Sequence, residues 1–132
     1  MRRMTLLLLA SAVAACSTAP PEPRTAQAEA ELQSLLAGKV AGEAISCLPS
    51  YRAGQMVTID DNTIAFRDGS RVFVNNLRGG CSNLGSGFYT LVTRSSGGLG
   101  LCRGDIADVA DVRSGITVGS CSLGDFVPYT RS

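Results

Sequence analysis

The residues of this chain that could do chemistry are five cysteines and a run of aspartates. The cysteines are Cys16, Cys47, Cys81, Cys102 and Cys121; the aspartates are Asp105, Asp108 and Asp111 in GDIADVAD. There is no histidine and a single lysine, Lys39. Neither a Ser-His-Asp triad, a Cys-His dyad nor a histidine-ligated metal can be assembled from such a chain.

The four later cysteines are 34, 21 and 19 positions apart. A structural zinc site presents two thiolates from one tight turn, and a thioredoxin-type pair needs C-x-x-C. Neither spacing occurs, so no metal and no cofactor is expected. Two structural disulfides are the economical reading, each expected to add ~2–4 kcal/mol by closing a loop of tens of residues. Four cysteines allow three pairings, and spacing does not choose among them.

Asp105, Asp108 and Asp111 would share one face of a helix, whereas on a strand the middle one points away from the other two. Neither this run nor Asp60-Asp61-Asn62 has the alternating ligands and turning glycine of a calcium loop, and both read as solvated turn or surface carboxylates. Two acids ~5–10 Å apart would suffice for glycoside hydrolysis. Sugar platforms are scarce here, with Tyr51, Tyr89, Tyr129 and four phenylalanines the only aromatic residues. The triplet Arg103-Gly104-Asp105 spells an adhesion motif but follows Cys102, which is expected to pin it.

The elements that must position these residues begin with an export signal. Arg2 and Arg3 precede an apolar run from Leu6 to Ala15, too short to span a bilayer core of ~30 Å. The run ends Val13-Ala14-Ala15-Cys16, which resembles a bacterial lipobox, so residues 1–15 are expected to be a signal peptide and Cys16 the lipidated (palmitate-bearing) residue. That assignment leaves an even number of cysteines for disulfides. Ser17 follows Cys16, with no aspartate to signal inner-membrane retention, so the expected place is the Gram-negative outer membrane, facing the periplasm. Residues 16–24 form a lipid-anchored, proline-rich tether (STAPPEPR after the cysteine) reaching ~25 Å. Without residues 1–15 the balance is 10 basic to 11 acidic side chains with no basic patch, which argues against nucleic acid as a partner.

Residues 25–38 read as a short amphipathic helix. Thr25 caps it, Glu29 and Glu31 suit its N-terminal end, and Gly38 stops it. Ala28, Leu32, Leu35 and Leu36 make one apolar stripe, expected to cover an open end or edge of a β domain. That domain is expected over residues 44–132. Strands are expected at 55–59, 63–67, 71–75, 88–94, 106–112, 116–119 and 125–129, with Asp68-Gly69 as a hairpin turn. Six to seven short strands and one N-terminal helix indicate an all-β fold, a small disulfide-braced antiparallel barrel or sandwich.

LAGKVAGEAISCL at 36–48, DDNTIAF at 60–66, RVFVNNLRGGCSNLGS at 71–86, LCRGDIADV at 101–109 and GSCSLGDFVPYT at 119–130 carry a resemblance. Together they resemble small exported proteobacterial proteins classed only as a domain of unknown function. The resemblance implies export, a β domain, and a bridge between Cys81 and Cys121 that leaves Cys47 with Cys102. It implies no activity, substrate or catalytic residue.

The functional expectation is a non-enzymatic envelope lipoprotein, a monomer, acting as a binding or accessory module toward an envelope protein or glycan. Asn75, Asn76, Arg78 and Asn83, on and beside the glycine-rich loop 78–87, are the candidate binding residues, combining amides, one charge and permissive glycines. One alternative is a periplasmic inhibitor of a lysozyme or protease that presents this loop. A second is a weak carboxylate-dependent hydrolase using Asp105 or Asp108.

Overall fold

A computed structural model of the chain describes residues 24–48, 55–94 and 100–132. The expected signal peptide, Cys16, nearly all of the tether, and Tyr51 lie outside the described residues.

The helix α1 spans Ala26–Leu36, with the Thr25 hydroxyl accepting from the Ala28 amide. Ten strands follow: β1 (Lys39–Ala41), β2 (Cys47–Leu48), β3 (Met56–Thr58), β4 (Thr63–Asp68), β5 (Arg71–Asn76), β6 (Tyr89–Thr93), β7 (Leu101–Cys102), β8 (Ile106–Asp111), β9 (Thr117–Ser122) and β10 (Phe126–Arg131). All pair antiparallel, in three sheets ordered β1-β10-β5-β4-β3, β6-β8-β9 and β2-β7. Among the described residues no sheet closes on itself, so the fold is sandwich-like and not a barrel.

The core between the five- and three-stranded sheets follows from strand alternation. Ile64 and Phe66 of β4, Phe73 of β5 and Phe126 of β10 face Leu91 of β6, Ala107 and Val109 of β8 and Cys121 of β9. The Phe66 and Phe126 rings lie 5.9 Å apart and tilted by 51°, within the range of favourable aromatic pairs. The intervening residues Ala65, Val72 and Val74 point to the opposite face of the same sheet, where Ala28 and Leu32 of α1 bury them with Ile59. The helix therefore covers a sheet face and not the end or edge expected from sequence. Burial on both sides explains why TIAF and VFVN are buried residue after residue.

One further departure concerns a boundary. The β structure starts at Lys39 and not at residue 44, because 39–41 pair with Arg131–Tyr129 at the edge of the large sheet. The Lys39 ammonium also donates to the Leu35 carbonyl (3.1 Å), satisfying an orphan acceptor of the last helical turn.

Asn75, expected on the surface, is fully buried. Its side chain lies on the core face of β5, next to Phe73, and needs partners there. It donates from Nδ2 to the Gly124 carbonyl at 2.8 Å and accepts from the Gly124 amide at 2.9 Å. This two-way bond holds the β9–β10 connection against the end of β5. Gly124 is required for the approach, since a Cβ there would stand 2.3 Å from the Asn76 carbonyl oxygen. Asn75→Ala leaves a buried N–H and C=O unsatisfied and is expected to lower unfolding free energy by about 2–4 kcal/mol, read from the urea midpoint at unchanged m-value.

Candidate functional site

Of the four candidate binding residues, Asn75 is thus a structural residue of the core. Asn76, Arg78 and Asn83 are exposed. The Asn76 side chain lies 3.4 Å from the Thr63 hydroxyl, and Arg78 makes a backbone bridge with Ser122 at the end of β9. Asn83 reaches a cleft of about 370 Å³ lined also by Arg24, Asp60, Asp61, Asn62, Gly85 and Ser86, with Ala28 and Ile59 as its apolar part. This cleft lies where the start of α1, the β3–β4 turn and the glycine-rich loop meet. Loop 78–87 therefore does line a concavity, but only its second half does so.

Two acids of the β3–β4 turn organise the cleft, a role the sequence reading missed. Asp61 accepts with both carboxylate oxygens, from the Gly85 amide at 2.7 Å and the Asn83 amide at 3.2 Å. Its own carbonyl accepts from the Cys81 amide at 2.7 Å, and the Asn62 carbonyl accepts from the Leu77 amide at 2.7 Å. Three bonds thus fasten the loop to the turn, and a fourth holds Leu77 just before it. Gly85 sits so close that a Cβ would lie 3.2 Å from the Asp60 Cα. Asn83 takes φ +71°, one of the few non-glycine residues tolerant of that conformation. The Cys81–Cys121 disulfide holds the loop from below, with both sulfurs' residues buried in the core.

Asp60 serves the other wall. One carboxylate oxygen accepts from the Asn62 amide at 2.8 Å and the second from Arg24 Nε at 3.2 Å. Arg24 also donates to Glu29 at 2.9 Å and to the Thr63 hydroxyl at 3.0 Å, so one guanidinium ties the helix to the sheet. Its hydrogen bond to Glu29 is the main cause holding the arginine pKa above its ordinary value. The same bond, followed by one from Gln33, holds the Glu29 carboxyl below the usual carboxylate range. Arg24 is one cation shared between the Asp60 and Glu29 carboxylates, and with Asp61 as a further acid the cleft is net acidic.

The aspartates considered for hydrolysis are not brought together. Asp105 is buried and accepts from the Cys102 amide at 2.8 Å. Asp108 lies on the outer face of the three-stranded sheet with the Ser120 hydroxyl (2.6 Å) and Arg94 (3.4 Å). Asp111 caps the β8–β9 turn, and the Ser114 and Arg113 amides keep its carboxyl below the usual range. In the adhesion-like triplet, Arg103 pairs with Asp125 at 3.1 Å while Asp105 is spent on the backbone. Cys47 and Cys102 stand opposite each other in β2 and β7 and are bridged, so both disulfides join the pairs that the resemblance implies. Among the described residues no group of three or more cysteine, aspartate or glutamate side chains is arranged to hold a metal.

Two outcomes follow for this site. Asp61→Ala is expected to cost about 1–2 kcal/mol and to speed amide hydrogen exchange at Asn83 and Gly85 while leaving the β4–β5 amides protected. The Glu29 carboxyl, lowered on folding, contributes stability that is present above its unfolded value near ~4.3 and is lost as pH falls through the lower folded value. A carboxyl-carbon NMR titration of Glu29 should show that depressed midpoint, and Arg24→Gln should raise it toward the ordinary range while the Gln33 bond keeps part of the lowering. No family model, no curated protein and no solved structure matches this chain.

Proposed function

We propose that the chain is an exported envelope lipoprotein, anchored through Cys16, whose β domain is a non-enzymatic binding or accessory module. The observation that carries this reading is the fixed cleft between loop 78–87 and the β3–β4 turn. Asp61 bonds two loop amides, Cys81 anchors the loop covalently, and the cleft beside them stays open. A concavity whose walls are fixed in advance loses little conformational entropy when occupied, which is what a binding surface needs. Its lining of carboxylates, amides, two hydroxyls, the Arg24 guanidinium and a small apolar floor, net acidic, fits the hydroxyl groups of a glycan or a basic segment of an envelope protein. Two disulfides within one small domain support an oxidising compartment, the periplasm in this reading.

An inhibitory role is the second reading, favoured by the exposure of Arg78 and Asn83 on a backbone held at Cys81. Such a loop could enter the cleft of a lysozyme or protease without being ordered on entry.

Affinity capture from intact envelopes tests both. The wild-type domain should retain a defined protein or glycan, and Asp61→Ala should retain at least tenfold less. Retention of nothing above a bead control would end the binding reading, and slowed turnover in a panel of lysozymes and proteases would select the second. Palmitate labelling that Cys16→Ser abolishes is the expected result for anchoring; release of unlipidated chain into the medium is the contrary one.

A further inference from the structure

Of the eight exposed large apolar side chains among the described residues, six belong to β6, β8, β9 and the residues joining them: Phe88, Val92, Ile106, Val112, Ile116 and Val118. They mark the three-stranded sheet as the side of the molecule that α1 leaves uncovered. One of its edges is partly closed, since Ser122 of β9 pairs with Arg78. The other edge is β6.

The ladder shows which groups of β6 face outward. The Arg94 amide donates to the Ile106 carbonyl and the Val112 amide to the Phe88 carbonyl, both at 3.2 Å. Even-numbered positions therefore bond to β8, and Tyr89, Leu91 and Thr93 turn their N–H and C=O groups away from it. Among the described residues no backbone group meets them on that side. The strand, YTLVT, has neither the lysine nor the proline with which edges are usually protected. By contrast, the edge strand β1 of the large sheet is three residues long and carries Lys39.

We propose that β6 is a homodimerisation edge, pairing antiparallel with β6 of a second copy to make one six-stranded sheet. A second copy fits because the strand is complementary to itself in one register. Centred on Leu91, the pairing sets Leu91 against Leu91 and Tyr89 against Thr93, which bonds all three outward residues of both copies. A shift of two residues in either direction leaves one of them without a strand partner. In the centred register the outer-face pairs are Thr90 with Val92 and Phe88 with Arg94. No like charges meet, and each Arg94 lies opposite an aromatic ring of the other copy, a favourable cation–π arrangement. The contact is isologous, so it closes at two copies and does not propagate through β6. A five-residue edge is smaller than a standard interface, which places the dimer in the weak, concentration-dependent class. This departs from the monomer expected from sequence.

The register gives the test. Sedimentation velocity on the full oxidised chain, raised to roughly 500 µM, should show mass increasing toward a dimer. Thr90→Lys with Val92→Lys places lysine opposite lysine twice and should weaken association at least tenfold. Thr90→Lys with Val92→Glu places opposite charges in the same two pairs and should restore it. Both positions are exposed, so each variant should keep the wild-type unfolding midpoint within a few degrees. In the wild type, amide exchange at Tyr89, Leu91 and Thr93 should slow as concentration rises. A wild-type chain that stays monomeric to this concentration overturns the proposal. So does association that the double lysine leaves unchanged, or that the Lys–Glu variant fails to regain.

Discussion

The five-stranded sheet has apolar side chains on both faces, and the rest of the molecule answers to that fact. A strand that places Ile64 and Phe66 on one side and Ala65 on the other cannot leave either side in water without losing burial worth ~25 cal/mol per Å². The three-stranded sheet covers one face. The second face requires α1, a helix too short to be stable alone and so defined by what it covers. The order of layers is helix, large sheet, core, small sheet, and the small sheet has nothing beyond it among the described residues.

That order places the cleft and the uncovered edge at opposite ends of the same constraint. Docking α1 brings Arg24 to Asp60 and Thr63, which raises one wall beside the β3–β4 turn. The turn then becomes a platform for loop 78–87, because Asp61 lies within reach of two of its amides. The cleft is thus a by-product of covering a sheet, made rigid by hydrogen bonds that the sheet itself does not need. Among the described residues the small sheet has no helix of its own, keeps valines, isoleucines and Phe88 in solvent and leaves one strand edge with unspent hydrogen-bonding groups.

Local signals in the sequence carried the elements well and the site poorly. Thr25, the stripe through Leu32 and the Asp68-Gly69 turn each act within a few residues, so helix and hairpin were legible. Strands β2 and β7 were not, since two residues have no period, and β1 hid because the partner of Lys39 lies 92 positions away at Arg131. Asn75 looked like a surface amide beside Asn76. Its burial depends on Gly124, 49 positions on, and no local pattern announces that pairing. Asp61 escaped for the same reason, its partners Asn83 and Gly85 being 22 and 24 positions distant. The glycine-rich loop drew attention as a loop; what it lacked in sequence was any sign of the acid that holds it.

The two disulfides then divide between the fold and its rim. Cys81–Cys121 lies within the core cluster and closes 40 positions, anchoring the loop whose outer half lines the cleft. Cys47–Cys102 is only partly buried and joins two strands of two residues each across 55 positions. Four residues of strand pairing contribute too few contacts to order that pair, so the covalent bond supplies what length does not. The Cys102 amide in turn donates to the buried Asp105 carboxylate at 2.8 Å, which closes the turn between β7 and β8. The cysteines that first invited a search for chemistry are structural members at both places. One bridge holds the cleft loop to β9 and the other holds the two-residue strands β2 and β7 together.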